Sequence, residues 1–122
     1  MAVKSIAFTA YPAKDAQALL VFYRDAVGLV VGRAHPDQEH AQFVEFDAGA
    51  DHWFSIIPED FAGRPAGSAS GVVFEVDDIE KAFADVRKHA KSADAEIADH
   101  PSCRMVSFED PEGNKASLHQ AK

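Results

Sequence analysis

The chain carries one pattern twice. Asp15 opens a run in which Ala16, Leu19, Leu20, Tyr23 and Val27 fall at one-face helical spacing. Asp78 opens a second, in which Ile79, Ala82, Phe83, Val86 and Ala90 do the same. Both aspartates suit a helix N-cap, where a carboxylate accepts from a backbone N–H two or three residues on. Laying Asp15 on Asp78, an offset of 63 residues, aligns strand with strand and helix with helix. A unit of about 60 residues, used twice, spans the whole length of 122. Each unit alone leaves one sheet face bare, so two must pair to close a core.

In the first unit, Ser5 to Tyr11 reads as a short alternating strand closed by Pro12. A helix from Ala16 to Val27 follows, with Gly28 as its stop. Strands are expected at Leu29–Arg33, Gln42–Phe46 and His52–Ile57, with a polar loop over Ala34–Ala41. Pro58 to Ser70 is rich in Gly, Pro and Ser and reads as a linker. The second unit repeats the order: strand Gly71–Val76, helix from Ile79, a weakly marked strand near Ala95–Ile97, strand Arg104–Glu109 and a closing strand from Lys115. Asp110-Pro111-Glu112-Gly113-Asn114 makes a tight reversal between the last two. The expectation is an α+β domain of two βαβββ units, about 1–60 and 68–122, with a linker over about 58–70.

Apolar residues make up 47% and charged residues 26%, the balance of a globular chain that buries a core. No apolar run nears the roughly 18 to 20 residues of a membrane span. Met1-Ala2-Val3-Lys4-Ser5 lacks the pattern of a secretory leader, and the single cysteine excludes an internal disulfide. A cytoplasmic protein with no membrane partner is expected. The net charge of -8, with 12 Lys and Arg that do not cluster, argues against a nucleic-acid partner.

Several stretches carry a family resemblance: Asp15 with Phe22-Tyr23-Arg24-Asp25 and Val27-Gly28-Leu29, then Phe74-Glu75-Val76-Asp77-Asp78-Ile79, then Phe108-Glu109-Asp110-Pro111-Glu112-Gly113-Asn114. In order and spacing they resemble the vicinal oxygen chelate superfamily of glyoxalases, bleomycin resistance proteins and extradiol dioxygenases. The resemblance implies a curled mixed sheet with helices on its convex face and a ligand in its cup. It also implies a homodimer, since small members typically pair and often exchange units. Metal-dependent members carry a ligand on the first and last strand of each unit. The matching positions here are Phe8, Ser55, Gly71 and Ser117. Phe and Gly offer no side-chain donor, and two neutral hydroxyls are poor ligands alone. No metal and no other cofactor is therefore expected.

By strand parity the cup side holds Ile6, Phe8 and Ala10; Trp53, Ser55 and Ile57; Gly71, Val73 and Glu75; and Lys115, Ser117 and His119, joined by Cys103, Met105 and Ser107. From these, Phe8, Trp53, Ser55, Gly71, Glu75, Met105, Ser117 and His119 are the candidate ligand contacts. Trp53, the only tryptophan, is a candidate stacking platform. Glu75 faces inward only at a cost unless it meets a ligand donor, Lys115 or His119. One acid, Glu75, is expected against Lys115 in the cup.

The leading expectation is a metal-independent binding protein for a small organic ligand. The alternative is a metal-independent isomerase or lyase using His119, Glu75 or Cys103 as acid, base or nucleophile. A metal-dependent lyase or dioxygenase ranks last. Drug sequestration follows only by fold analogy.

Overall fold

The computed structural model describes residues 2–122; Met1, where the leader reading begins, lies outside the described residues. The chain builds two sheets. The first takes β1 (Thr9–Ala13), β2 (Val30–His35), β3 (Phe43–Asp47) and β4 (Trp53–Pro58), in the order β1-β4-β3-β2. The second takes β5 (Val72–Glu75), β6 (Ser92–Ala93), β7 (Ala98–Asp99), β8 (Cys103–Glu109) and β9 (Lys115–Ala121), in the order β5-β9-β8-β6 with β7 also on β8. In each sheet the first strand lies parallel to the last, and the remaining pairs are antiparallel. This is the α+β arrangement of two βαβββ units, the helices lying on the convex side.

The N-caps work as the spacing requires. Asp15 accepts from Ala18 N at 3.1 Å at the head of α1 (Ala16–Val21), and Asp78 accepts from Lys81 N at 3.2 Å at the head of α3 (Ile79–Arg87). A third, short helix, α2 (Glu59–Ala62), stands inside the expected linker. The helix expected over Ala16–Val27 changes pitch: Phe22–Val27 is a π-helical turn, closed by Gly28 and Leu29 N–H groups on Tyr23 O. The looser turn accompanies burial of two consecutive aromatics, Phe22 and Tyr23, whose rings meet edge-on at 5.1 Å. Gly28 ends it at φ 94°, where a side chain would be strained.

One strand departs from expectation. Ser5–Phe8 pairs with no strand, and pairing begins only at Thr9. The reason lies in β4. The β3–β4 hairpin reverses at Gly49, Ala50 and Asp51, all with positive φ, so β4 starts at Trp53 and the parallel register sets Thr9 beside Phe54. Residues before Thr9 have no strand beside them. Pro12, expected to close the strand, sits within it, tolerated because β1 is an edge. No strand forms at the expected Ala95–Ile97; those residues bend between β6 and β7, which pair separately with β8.

Strand parity holds in both sheets. Phe46, Phe54, Ile56, Phe74, Val106, Phe108, Ala116 and Leu118 are buried on the helix side with Leu19, Leu20, Ile79, Phe83 and Val86. Aromatic rings join the sheets beneath the helices: Phe54 meets Tyr11 at 5.1 Å, Tyr23 at 4.9 Å and Phe74 at 5.5 Å, each edge-on. Tyr11 also ties the units by hydrogen bond, its hydroxyl donating to Lys115 O at 2.5 Å and accepting from Val72 N at 3.0 Å.

The Asp110–Asn114 turn is the main polar joint. Asp110 and Asn114 are both fully buried. Asp110 Oδ2 accepts from the Tyr23 hydroxyl at 2.8 Å and from Asn114 Nδ2 at 3.1 Å, while Oδ1 accepts from Glu112 N and Asn114 N. Burial pushes the Asp110 carboxyl above its ordinary value and raises the Tyr23 phenol well above its own. Glu112 reaches back to the first unit and accepts from Lys14 N and Asp15 N at 2.7 and 2.8 Å.

Candidate functional site

The concave faces of the sheets carry the opposite parity. On the second sheet, register sets Val73 beside Ser117 and Glu75 beside His119, and then Ser117 beside Ser107 and His119 beside Met105. The neighbours bond. Ser107 Oγ and Ser117 Oγ lie 2.8 Å apart. His119 Nδ1 donates to Glu75 Oε1 at 2.5 Å, and Glu75 Oε2 accepts from Ala121 N at 2.8 Å. Those two donors, the backbone N–H first, hold the Glu75 carboxyl below its ordinary value.

Glu75 thus meets His119 rather than Lys115, which stands opposite Glu109. Cys103 stands opposite Ala121, diagonal to His119, and no hydrogen bond joins Cys103 to His119 among the described residues. The His119 imidazole is oriented by the Glu75 carboxylate.

A cavity of about 1160 Å³ opens where the N-terminal arm, the start of β4 and the whole of β5 converge. Phe8, Trp53 and Glu75 line it, as do Ile6 and Val73. Ser55, Gly71, Met105, Ser117 and His119 do not; Ser55 is buried under its neighbours, and the others lie beside the cavity or along the strip of the second sheet. Five apolar side chains that line it stay exposed: Ile6 at 79%, Val30 at 65%, Phe8 at 56%, Val73 at 47% and Trp53 at 39%. The acid content differs from expectation. Besides Glu75, the cavity is lined by Asp47, Asp51 and Asp77, and among the described residues no Lys or Arg lines it. Sequence reading missed these three because they sit at strand ends and in a turn, where alternation carries no signal.

The positions where relatives hold a metal do not fit one. Phe8 and Gly71 have no donor atom, Ser55 is buried, and the Ser117 hydroxyl is engaged with Ser107. No group of three or more His, Cys, Asp or Glu among the described residues is placed to hold an ion. Among the described residues no helix is long and apolar enough to cross a membrane.

Two curled sheets, each with a parallel first-to-last strand pair and a bare concave face, define a paired-βαβββ protein with a ligand-sized cavity. The sequence profile of the Glyoxalase/Bleomycin resistance protein/Dioxygenase superfamily matches residues 5–118, and the chain belongs to that superfamily. Among solved structures it is similar to TnmS3, an antibiotic binding protein from Streptomyces sp. CB03234, at 25% identity and TM-score 0.82, covering 100% of this chain and 99% of that one. It is also similar to a glyoxalase/bleomycin resistance protein from the same Streptomyces strain, at 26% identity and TM-score 0.77, covering 95% and 100%. The fold is shared with TioX from Micromonospora sp. ML1, at 16% identity and TM-score 0.76, covering 98% and 100%. No curated protein matches the chain.

Proposed function

We propose that this chain is a metal-independent, cytoplasmic small-molecule binding protein whose ligand sits in the cavity beside Trp53. The observation that carries the reading is the lining itself: exposed aromatic and aliphatic side chains together with four acids and no Lys or Arg among the described residues. A low-dielectric wall with charge of one sign focuses potential on its contents, so the cavity favours an organic cation over an anion. An indole face adds cation–π attraction. The antibiotic-binding relative TnmS3 supports a binding role for this fold.

The test is a titration of a cationic aromatic amine, 9-aminoacridine, followed by quenching of Trp53 emission and by calorimetry. Saturable binding unchanged by EDTA is expected. Loss of binding on chelation, or tight stoichiometric uptake of Zn, Ni, Mn or Fe(II) by the stripped protein, would overturn metal independence.

We also propose a homodimer. β1, β2 and β5 present unpaired strand edges, and Phe61 at 73% and Val3 at 65% are large apolar groups exposed outside the cavity lining. A second copy covers them at no cost in new sequence. Light scattering at micromolar concentration is expected to give twice the 13.2 kDa chain mass; a monomer mass would count against it.

A second reading has one observation in its favour. The Glu75–His119 pair fixes an imidazole with its other nitrogen free of protein partners among the described residues, the arrangement of a general base. Turnover of a carbonyl compound that disappears in His119→Gln with the fold intact would favour an isomerase or lyase over a binding protein.

A further inference from the structure

Gly32 is a glycine that its backbone does not require. It lies in β2 without a positive φ, so its conformation is open to other residues. The pairing of β2 with β3 shifts between Val31 and Arg33, leaving Gly32 as the bulged residue, and such a position also accepts side chains. What excludes a side chain is Trp53. A Cβ on Gly32 would stand 2.7 Å from the indole Cζ3 and 3.2 Å from Cη2. The first distance is shorter than real contacts allow, and the indole is rigid.

The position of that contact fixes how the ring lies. Trp53 belongs to β4 and Gly32 to β2, with β3 between them. Strands two apart are separated by roughly 9.5 Å, twice the spacing of neighbours. An indole standing upright from the sheet would not cross that distance. The ring must therefore run sideways over β3, its far edge seated on the Gly32 backbone. Trp53 remains 39% exposed and lines the cavity, so one indole face is turned to the ligand space.

We infer that Gly32 is a specificity-determining residue: its missing side chain lets Trp53 lie flat as a stacking plane, which selects planar cationic ring systems over globular cations. The inference rests on the binding reading above and adds the shape of the ligand to its charge. Stacking on an indole rewards a flat partner in full face-to-face overlap, whereas a globular cation of equal charge touches the ring at few atoms. A Cβ at Gly32 would lift the indole edge into the cavity, tilting the plane and narrowing the space above it.

The experiment compares 9-aminoacridine with 1-aminoadamantane, one flat and one globular, by calorimetry. The wild type is expected to prefer the acridine, and Gly32→Ala to lose roughly tenfold of that preference, the scale of one good stacking contact. Trp53→Phe should lose a similar share, and adding Gly32→Ala to Trp53→Phe should cost little more, because both act through one ring. A readout without ligand guards against a poorly binding variant: the emission of the single tryptophan should move to the red and acrylamide quenching should rise in Gly32→Ala. Unchanged selectivity together with unchanged emission would overturn this inference and leave the binding reading standing. If neither amine binds the wild type, both fall.

Discussion

Replacing Asn114 with alanine is expected to cost about 3 to 4 kcal/mol of folding stability, among the larger effects of a single substitution. The side chain is fully buried and all of its hydrogen-bonding capacity is used. Its Oδ1 accepts from Gly67 N at 2.9 Å and Ala69 N at 3.1 Å; its Nδ2 donates to Pro12 O at 3.0 Å and Asp110 Oδ2 at 3.1 Å. Alanine would strand two backbone N–H groups of the linker, one carbonyl of β1 and part of a buried carboxylate. Each stranded group loses its partner without regaining water, at about 1 to 3 kcal/mol apiece before relaxation. Relaxation of the exposed end of the linker recovers part of that sum. Urea unfolding monitored by far-ultraviolet circular dichroism would measure it, and a loss below about 1 kcal/mol would mean that the linker closes without Asn114. The effect should appear in both units at once, since Asn114 touches β1, the linker and the Asp110 turn together.

Replacing Trp53 with alanine is expected to weaken 9-aminoacridine binding roughly thirty-fold, equivalent to about 2 kcal/mol, while changing stability far less. Trp53 is the aromatic side chain of β4 that faces the cavity, and 39% of it stays exposed, so little of the core depends on it. Its neighbour in sequence, Phe54, is 1% exposed and meets four other rings in the core, so Phe54→Ala is the contrasting variant, unfolding the protein rather than emptying the site. Calorimetry on both, with melting curves alongside, separates the two roles. A loss of less than threefold in Trp53→Ala, with an unchanged melting curve, would place the ligand somewhere else on the sheet.

The Asp110–Asn114 turn illustrates how a family-like stretch can be read too quickly. Its residues sit in the order that relatives use next to a metal-binding strand, yet here the side chains of Asp110 and Asn114 are spent on closing the turn, on holding Gly67 and Ala69, and on joining the units through Tyr23 and Pro12 O. The turn is structural chemistry, and the adjoining Ser117 pairs with Ser107 across β8 and β9. His119, two residues further on, is the group on that strand with an oriented ring nitrogen, because Glu75 stands beside it on β5. From the sequence His119 and Glu75 were two separate candidates with Cys103 as a third; pairing by strand register put the first two together and left Cys103 diagonal to them.

What the sequence determined by itself was everything set by local backbone geometry. Helical spacing after Asp15 and Asp78 fixed two equivalent helices, and strict alternation fixed which side chains of β4, β5, β8 and β9 face the helices and which face the cup. The family resemblance implies that its metal positions fall here on Phe8, Ser55, Gly71 and Ser117. Tertiary structure decided what depends on which strands stand side by side. The hairpin at Gly49–Asp51 moved the start of β1 to Thr9 and freed the arm that carries Ile6 and Phe8. The convergence of strand ends brought Asp47, Asp51 and Asp77 around the cavity with Glu75. The reach of one indole across a whole strand gave Gly32 its meaning. Alternation repeats every two residues and is written in the chain, whereas these contacts join positions far apart in sequence, and only the packed sheets bring them within reach.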